Sequence, residues 1–225
     1  MGPDGARSDV ERAPAATPPL LRGWLHLVCL VVSVPAGAAL VAGAGSTEAR
    51  VAGAVYATCL SGLFGVSTLY HRRRWSPPAR RRMQRADHAM IFVMIAGSYT
   101  PLCVVALGGT LGRRILVVAW LGAGAGGLLA LLDLAQRPVL GLACYMGLGW
   151  VIVVALPQLA DRLDTGGLLL IVAGGLVYTV GGLVLGTRWP DPFPAVFGYH
   201  ELWHLMVALA AACHYLAISS VVRAG

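Results

Sequence analysis

The chain has 225 residues, of which 57% are hydrophobic and only 12% are charged. A soluble domain carries about 25% charged residues, so this composition argues against an ordinary soluble enzyme. The net charge is +7, and every basic residue is arginine. Because seven of the 17 arginines lie in one short segment between two apolar runs, membrane topology explains the charge better than nucleic-acid binding does.

The N-terminal segment, residues 1–20, is polar and rich in proline and alanine. This composition predicts a disordered tail, which the topology below places in the cytoplasm. The tail is too long for the n-region of an ordinary signal peptide, and the first apolar run ends without a clear small-residue cleavage site. We therefore expect residues 21–225 to form one membrane domain that retains its first helix.

Apolar runs of about twenty residues recur through this domain, and that length is needed for a helix to cross the hydrocarbon core. Breaks rich in charge, glycine or proline separate the runs. The seven predicted spans are about 24–45, 51–70, 87–107, 115–134, 139–159, 167–187 and 199–221. The sequence thus predicts an all-α integral membrane protein, a bundle of seven transmembrane helices.

The arginines predict the orientation of this bundle. The connection between the second and third spans, residues 71–85, carries seven arginines and should face the cytoplasm. With an odd number of spans, the N-terminus is then cytoplasmic and the C-terminus outside. Three arginines before the first span support this orientation. Arg113 and Arg114 fall on the outer side and argue against it, but they are two against ten. We expect a multi-pass protein of the plasma (inner) membrane, and the composition indicates a bacterial origin.

The last span begins with the string HELWH, residues 200–204. His200 and His204 are four residues apart, so on a helix their side chains share one face with Cβ atoms about 6 Å apart and can bind one metal ion. The string matches the HExxH pattern of helical metalloproteases. That pattern is short, a protease would need a third ligand, and Glu201 points away from the ligand face.

The predicted topology supplies candidates for the other residues of a metal site. The second span ends on His71 and the third begins with Asp87, both on the side where the last span begins. We therefore expect His71, Asp87, His200 and His204 to lie at one depth near the inner leaflet. Three histidines and an open position are typical of a catalytic zinc site. Asp87 could hold a water on the metal, and Ser67 shares the helical face of His71 one turn deeper.

The other histidines receive no site role from the sequence. His26 lies near the same membrane surface but has no partner in its sequence neighbourhood, and His88 points away from Asp87. His214 lies about 15 Å deeper than His204, where a buried hydrogen bond is the expected role. The polar patch at residues 98–101 has two interpretations, internal packing at a proline kink or the wall of a lipid cavity. The five cysteines are scattered singly and are interpreted as small apolar residues.

The strings STLYH, DHAMIFVMIAGSYTP and HELWHLMVALAAACHY together resemble the hemolysin-III proteins, which belong with the progestin and adiponectin receptors and more distantly with alkaline ceramidases. The resemblance covers the chain from about residue 21 to 222. It implies a zinc ion held by His71, His200 and His204, with Asp87 contacting the water on the zinc and Ser67 as the serine of the motif. Many members begin the first span with an acidic residue and an asparagine; this chain has LRGWLHLV, which leaves Arg22 or His26 to occupy that space.

The relatives imply hydrolysis of lipid amides by an activated water. Our leading hypothesis is a zinc-dependent hydrolase that acts on a lipid amide or ester, with Asp87 and Ser67 as catalytic residues and a membrane lipid as substrate. The alternative is a non-enzymatic cytolytic, pore-forming or lipid-sensing protein in which zinc is structural. A pore should show a polar stripe along several helices, and these spans show little polarity outside the Ser98 region. The sequence leaves the substrate, the existence of turnover and the oligomeric state open.

Overall fold

A computed structural model describes residues 19–132 and 138–225, and the regular structure within these ranges is helical apart from one isolated bridge between Phe193 and Phe197. The α-helices are α1 Trp24–Ala42, α2 Thr47–Arg72, α3 Pro77–Pro101, α4 Gly109–Leu131, α5 Pro138–Trp150, α6 Leu156–Arg162, α7 Thr165–Thr187 and α8 Tyr199–Ala224. A π-helical segment, Leu102–Leu107, prolongs α3, and a 3₁₀ turn, Val151–Ala155, joins α5 to α6.

Seven helical segments of the described chain are long and apolar enough to cross a membrane. Six of them each consist of one α-helix, and in the third span the π-helical segment prolongs that helix. The fifth span, Leu140–Arg162, combines α5, the 3₁₀ turn and α6. The prediction of an all-α, seven-span membrane protein is confirmed. The side of the membrane that each terminus faces stays a prediction from the arginines.

Local sequence signals fix where several helices begin. Ser46 caps α2, because its Oγ accepts a hydrogen bond from the Ala49 N–H at 3.1 Å. Helix α3 begins at Pro77, where a fixed φ and a missing N–H suit the first turn. This start lies ten residues before the predicted span 87–107, because hydropathy marks the part of a helix inside the bilayer and not its first turn. The last arginines of the connection therefore lie on the helix.

The predicted disordered tail, residues 1–20, lies almost entirely outside the described residues. Pro19 and Leu20 are described, and the Leu20 N–H donates a hydrogen bond to the carbonyl of Ala195 at 3.1 Å. The next residue follows the same course, since the Leu21 N–H donates to the Val196 carbonyl at 3.2 Å. The chain therefore runs along the α7–α8 connection just before it enters α1.

Small residues allow the helices to pack closely. A Cβ on Gly97 of α3 would lie 2.6 Å from the Cβ of Cys59 on α2, and one on Gly181 of α7 would lie 2.9 Å from Trp203 on α8. Such close approach is the usual way in which membrane helices gain packing contacts. The packing brings the end of α2, the start of α3 and the start of α8 to the same end of the bundle.

Candidate metal centre

Three imidazoles meet at this end of the bundle. The candidate ligand nitrogens of His71, His200 and His204 all lie within 4.8 Å of one another. The Nε2 atoms of His71 and His200 are 3.2 Å apart. The cluster is enclosed by protein, since His204 is 3% exposed and the His71 side chain 6%. The structure therefore brings together the three histidines that the sequence indicated as metal ligands.

The helices explain this convergence. His200 and His204 lie one turn apart in the first turns of α8, so both rings face the same direction, with ring centroids 4.5 Å apart. His71 is the penultimate residue of α2 and meets them from the neighbouring helix, 4.9 Å from each ring centroid. The spacing within α8 is local, whereas the position of His71 depends on the packing of α2 against α8.

The two other residues that the sequence placed at the site, Asp87 and Ser67, lie near the three rings and line the same cavity as His200 and His204. The Oδ2 atom of Asp87 lies 4.0 Å from the Nε2 atom of His71, which is too far for a direct hydrogen bond. The Ser67 side chain, 2% exposed and one turn deeper on α2, lines the same cavity as Asp87. The carboxylate thus lies beside the histidine cluster without binding a histidine directly.

Glu201 occupies the position of the catalytic glutamate in an HExxH helix, but its contacts are structural. Its Oε2 atom accepts the N–H of Gly198 at 2.9 Å and so caps α8. Its Oε1 atom accepts a hydrogen bond from Nε of Arg22, and the two form an ion pair. With the side chain fully buried and both oxygens engaged, Glu201 fixes the first turn of α8 against the segment before α1.

The start of α1 closes over the cluster. Gly23 has a φ of +76°, and a Cβ at this position would lie 2.8 Å from the Cβ of His71. Glycine is required here because an L side chain rarely adopts this conformation and because no space exists for one. The guanidinium of Arg72 stacks on the ring of Trp24, 3.7 Å from its centroid. Helix α1 is thereby anchored to the end of α2.

His26 is the residue at this site that sequence reasoning did not assign. Its ring is parallel to that of His204, with an interplanar angle of 11° and centroids 3.9 Å apart, and it is 3% exposed. The sequence left Arg22 or His26 to occupy the space at the start of the first span. The structure places His26 against the ring of His204 and Arg22 in the ion pair with Glu201. The one sequence signal for this placement was that His26 lies near the same membrane surface as the clustered histidines.

The remaining histidines lie apart from the three-histidine cluster. His214 makes the buried hydrogen bond that was expected of it, with its Nε2 atom 3.2 Å from the carbonyl of Ile171. His88 is half-buried on α3, and among the described residues its ring makes no hydrogen bond. Neither belongs to the group of nitrogens that could share a metal ion.

A cavity of about 690 Å³ extends from the cluster into the bundle. Ser67, Asp87, His200 and His204 line one end of it, and α3, α5 and α7 supply most of the remaining wall. Four apolar side chains of that wall remain 39–51% exposed: Trp150, Val153, Val172 and Leu176. The cavity thus joins a polar end to an apolar body, and its volume is typical of ligand pockets.

The polar patch at residues 98–101 serves both of the roles considered for it. Ser98 donates to the Met94 carbonyl at 2.9 Å, and Thr100 donates to the Ala96 carbonyl at 3.0 Å, so both hydroxyls are satisfied within α3. Ser98 and Tyr99 also line the cavity. The patch is therefore internally bonded and forms part of the cavity wall.

Most of the chain, including the segments that form this site, is similar to known proteins. Residues 15–215 match the family model described as Haemolysin-III related. The chain is 32% identical over 198 residues to Hemolysin-3 of Bacillus cereus, an alignment that covers 86% of each chain. It is 28% identical over 197 residues to a Hemolysin-3 homolog of Bacillus subtilis strain 168, with 86% of this chain and 89% of the relative covered.

A human protein is similar as well. Monocyte to macrophage differentiation factor is 30% identical over 168 residues, covering 73% of this chain and 67% of the human one. The range that matches the family model contains all three clustered histidines, Asp87 and Ser67.

Proposed function

Since the chain belongs to the haemolysin-III related family, we propose that it is a zinc-dependent membrane hydrolase that cleaves a lipid amide or ester. One observation carries the proposal: three enclosed imidazoles and a carboxylate lie together at the polar end of an apolar cavity. In this proposal the centre lies at the cytoplasmic face of the plasma membrane, where the arginine-rich connection between α2 and α3 would also lie.

The donor set fits zinc. With Zn–N distances of about 2.0–2.1 Å and tetrahedral angles, two ligating nitrogens lie about 3.3–3.4 Å apart. The separation of 3.2 Å between the Nε2 atoms of His71 and His200 is close to this value, and the nitrogen of His204 lies within 4.8 Å of both. Neutral imidazoles suit zinc, and three of them leave a position open for substrate or water. His71, His200 and His204 would hold the ion.

The residues around the ion have distinct roles in the proposed reaction. When bound, zinc would polarise the substrate carbonyl and lower the pKa of a water to about 7. The oxygen of the attacking water bonds to the carbonyl carbon, and the bond from that carbon to the leaving nitrogen or oxygen breaks. Asp87 accepts the water's proton at Oδ2 and returns it to the leaving atom, while Ser67, which lines the same cavity, orients the carboxylate.

The cavity supports a lipid as the substrate. Its apolar wall between α5 and α7 would cover a hydrocarbon chain, and burial of that chain is favourable at about 25 cal/mol per Å² of apolar surface. The polar end would receive the amide or ester group. An amphiphile with its scissile bond at headgroup depth matches this distribution of polar and apolar surface.

The name of the Bacillus cereus relative, Hemolysin-3, supports a second candidate, a non-enzymatic cytolytic protein in which zinc only joins helices. The polar side chains deeper in the bundle argue against a pore. Ser98, Thr100 and Thr179 each donate to a carbonyl of their own helix, so their hydroxyls are already engaged and would contribute little to a hydrated channel. A lipid sensor would use the same cavity without turnover.

Hydrolysis can be tested directly with the purified, zinc-loaded protein in mixed micelles. The substrates are an N-acylsphingosine, an N-acylethanolamine and a monoacylglycerol, and released fatty acid is measured by mass spectrometry. We expect turnover of at least one of them. Asp87→Asn should lower kcat at least 100-fold with zinc content unchanged, because removing a general acid–base typically costs 10²–10⁴-fold.

Asp164→Asn is the matched control, since it also neutralises a carboxylate, but at the N-cap of α7, at the opposite end of the bundle. It should keep kcat within about threefold, because the asparagine oxygen can still accept the Gly167 N–H. Zinc-loaded protein that releases no fatty acid from any substrate would contradict the hydrolase. Liposome leakage that is equal in the native chain and Asp87→Asn would then favour the cytolytic candidate.

A further inference from the structure

The ring of His26 is buried, and its polar neighbour, the His204 backbone, lies outside hydrogen-bond geometry. His26 is 3% exposed, and neither its Nδ1 nor its Nε2 atom has a hydrogen-bond partner among the described residues. Leaving a buried polar group unpaired is unfavourable, and buried polar groups in native proteins are nearly always paired. A group from outside the chain, a ligand or a water, is therefore expected to bind this imidazole.

The position of the ring indicates where that group would lie. His26 lines the same cavity as Asp87, His200 and His204. Its parallel stacking on His204 puts it 3.9 Å from a ring of the metal cluster. His26 is nevertheless outside the group of nitrogens that could share one ion. It thus lies beside the metal centre, at the polar end of the cavity.

The first turn of α1, which carries His26, is held from several sides. The Leu20 and Leu21 N–H groups bind the connection before α8, and Arg22 pairs with Glu201. Gly23 abuts His71, and the edge of the Phe64 ring contacts His26 at a centroid distance of 5.2 Å. The imidazole is therefore fixed before any ligand binds, and fixed donors are the ones most effective at stabilising developing charge.

We propose that His26 is a substrate-binding residue that donates a ring N–H to the carbonyl oxygen of the lipid amide or ester at the metal centre. A neutral imidazole has one such donor, and the carbonyl oxygen gains negative charge as water attacks the carbon. This role rests on the proposed function. It explains why an unpaired imidazole stays buried next to a ligand ring, and it makes the site selective for lipids with a carbonyl group.

The test uses dodecanoyl hydroxamic acid, a chain-bearing carbonyl compound that binds zinc. Its affinity is measured by calorimetry on the purified protein, and zinc per chain is measured by elemental mass spectrometry. His26→Phe keeps an aromatic ring against His204 but removes both nitrogens. We expect it to retain zinc at the native ratio and to bind the hydroxamate at least tenfold more weakly. His26→Gln, which restores an N–H donor, should recover most of the affinity.

Tyr56→Phe is the matched control, since it also removes an unpaired polar atom from a buried ring, but one that does not line the cavity; it should change neither readout by more than twofold. If His26→Phe does not fold, His26→Leu provides a second variant without ring nitrogens. Native hydroxamate affinity in a zinc-loaded, nitrogen-free variant would overturn the role of His26 and leave the zinc site intact. Loss of zinc in that variant would also overturn it, since His26 would then only position His204. A native chain that binds no zinc would instead overturn the proposed function itself.

Discussion

Gly23 lies outside the histidine cluster, but its backbone conformation positions the chain against that cluster. Its φ of +76° lets the chain turn into α1 while passing directly over His71. The same turn directs Arg22 toward Glu201 and brings His26 against His204. A single backbone conformation thus links the first helix to the clustered histidines on α2 and α8.

Gly23→Ala should weaken the protein and its metal centre together. A Cβ in the left-handed region costs roughly 1–2 kcal/mol, and here it would also lie 2.8 Å from the Cβ of His71. We expect a lower thermal unfolding midpoint and at least tenfold weaker zinc affinity, measured by calorimetry. Gly124→Ala, at a helical position with open space around it, should leave both unchanged. Native zinc affinity in Gly23→Ala would show that the turn does not support the site.

Side chains of the site differ in how far the sequence could predict them. The four-residue spacing of His200 and His204 and the common membrane depth of His71 were sufficient to predict the cluster. The stacking of His26 on His204 was not predictable, because it depends on how α1 packs against α8 and has no periodic signature. Glu201 was correctly separated from the ligands by its position on the helix, but its pairing with Arg22 required the structure.

At the scale of helices, hydropathy located the seven spans because each must present an apolar surface about 30 Å long. It could not locate the interruption in the fifth span. There the Tyr99 hydroxyl accepts the N–H of Ile152 at 3.1 Å and donates to the carbonyl of Leu148 at 2.9 Å. A side chain of α3 thus replaces hydrogen bonds of the helix it packs against, and a 3₁₀ turn results.

The arginine-rich connection between α2 and α3 predicts which end of the helices faces the cytoplasm. Ser76 lies at the start of α3 and Thr110 at the start of α4, both exposed and at opposite ends of the third span. With a membrane-impermeant maleimide, Ser76→Cys should be labelled only after the cells are opened, and Thr110→Cys in intact cells. The native chain supplies the background of its own five cysteines. The reverse labelling pattern would place the metal centre on the outer side.

For the whole molecule, the fold brings three segments that are distant in sequence to one end of an apolar bundle. The end of α2, the middle of α3 and the start of α8 supply the histidines and the carboxylate, and α1 closes over them. Helices α5 and α7 supply most of the remaining wall of a cavity of about 690 Å³. Polar groups inside a membrane are costly, so their concentration at one site indicates function.

The most direct test of this account is the zinc content of the detergent-purified protein, measured by elemental mass spectrometry. The native chain and His88→Ala should each hold about one zinc per chain, and His204→Ala should lose most of it, because two imidazoles hold zinc far less tightly than three. A native chain that holds no zinc, and binds added zinc no better than His204→Ala, would contradict both the metal centre and the hydrolase built on it.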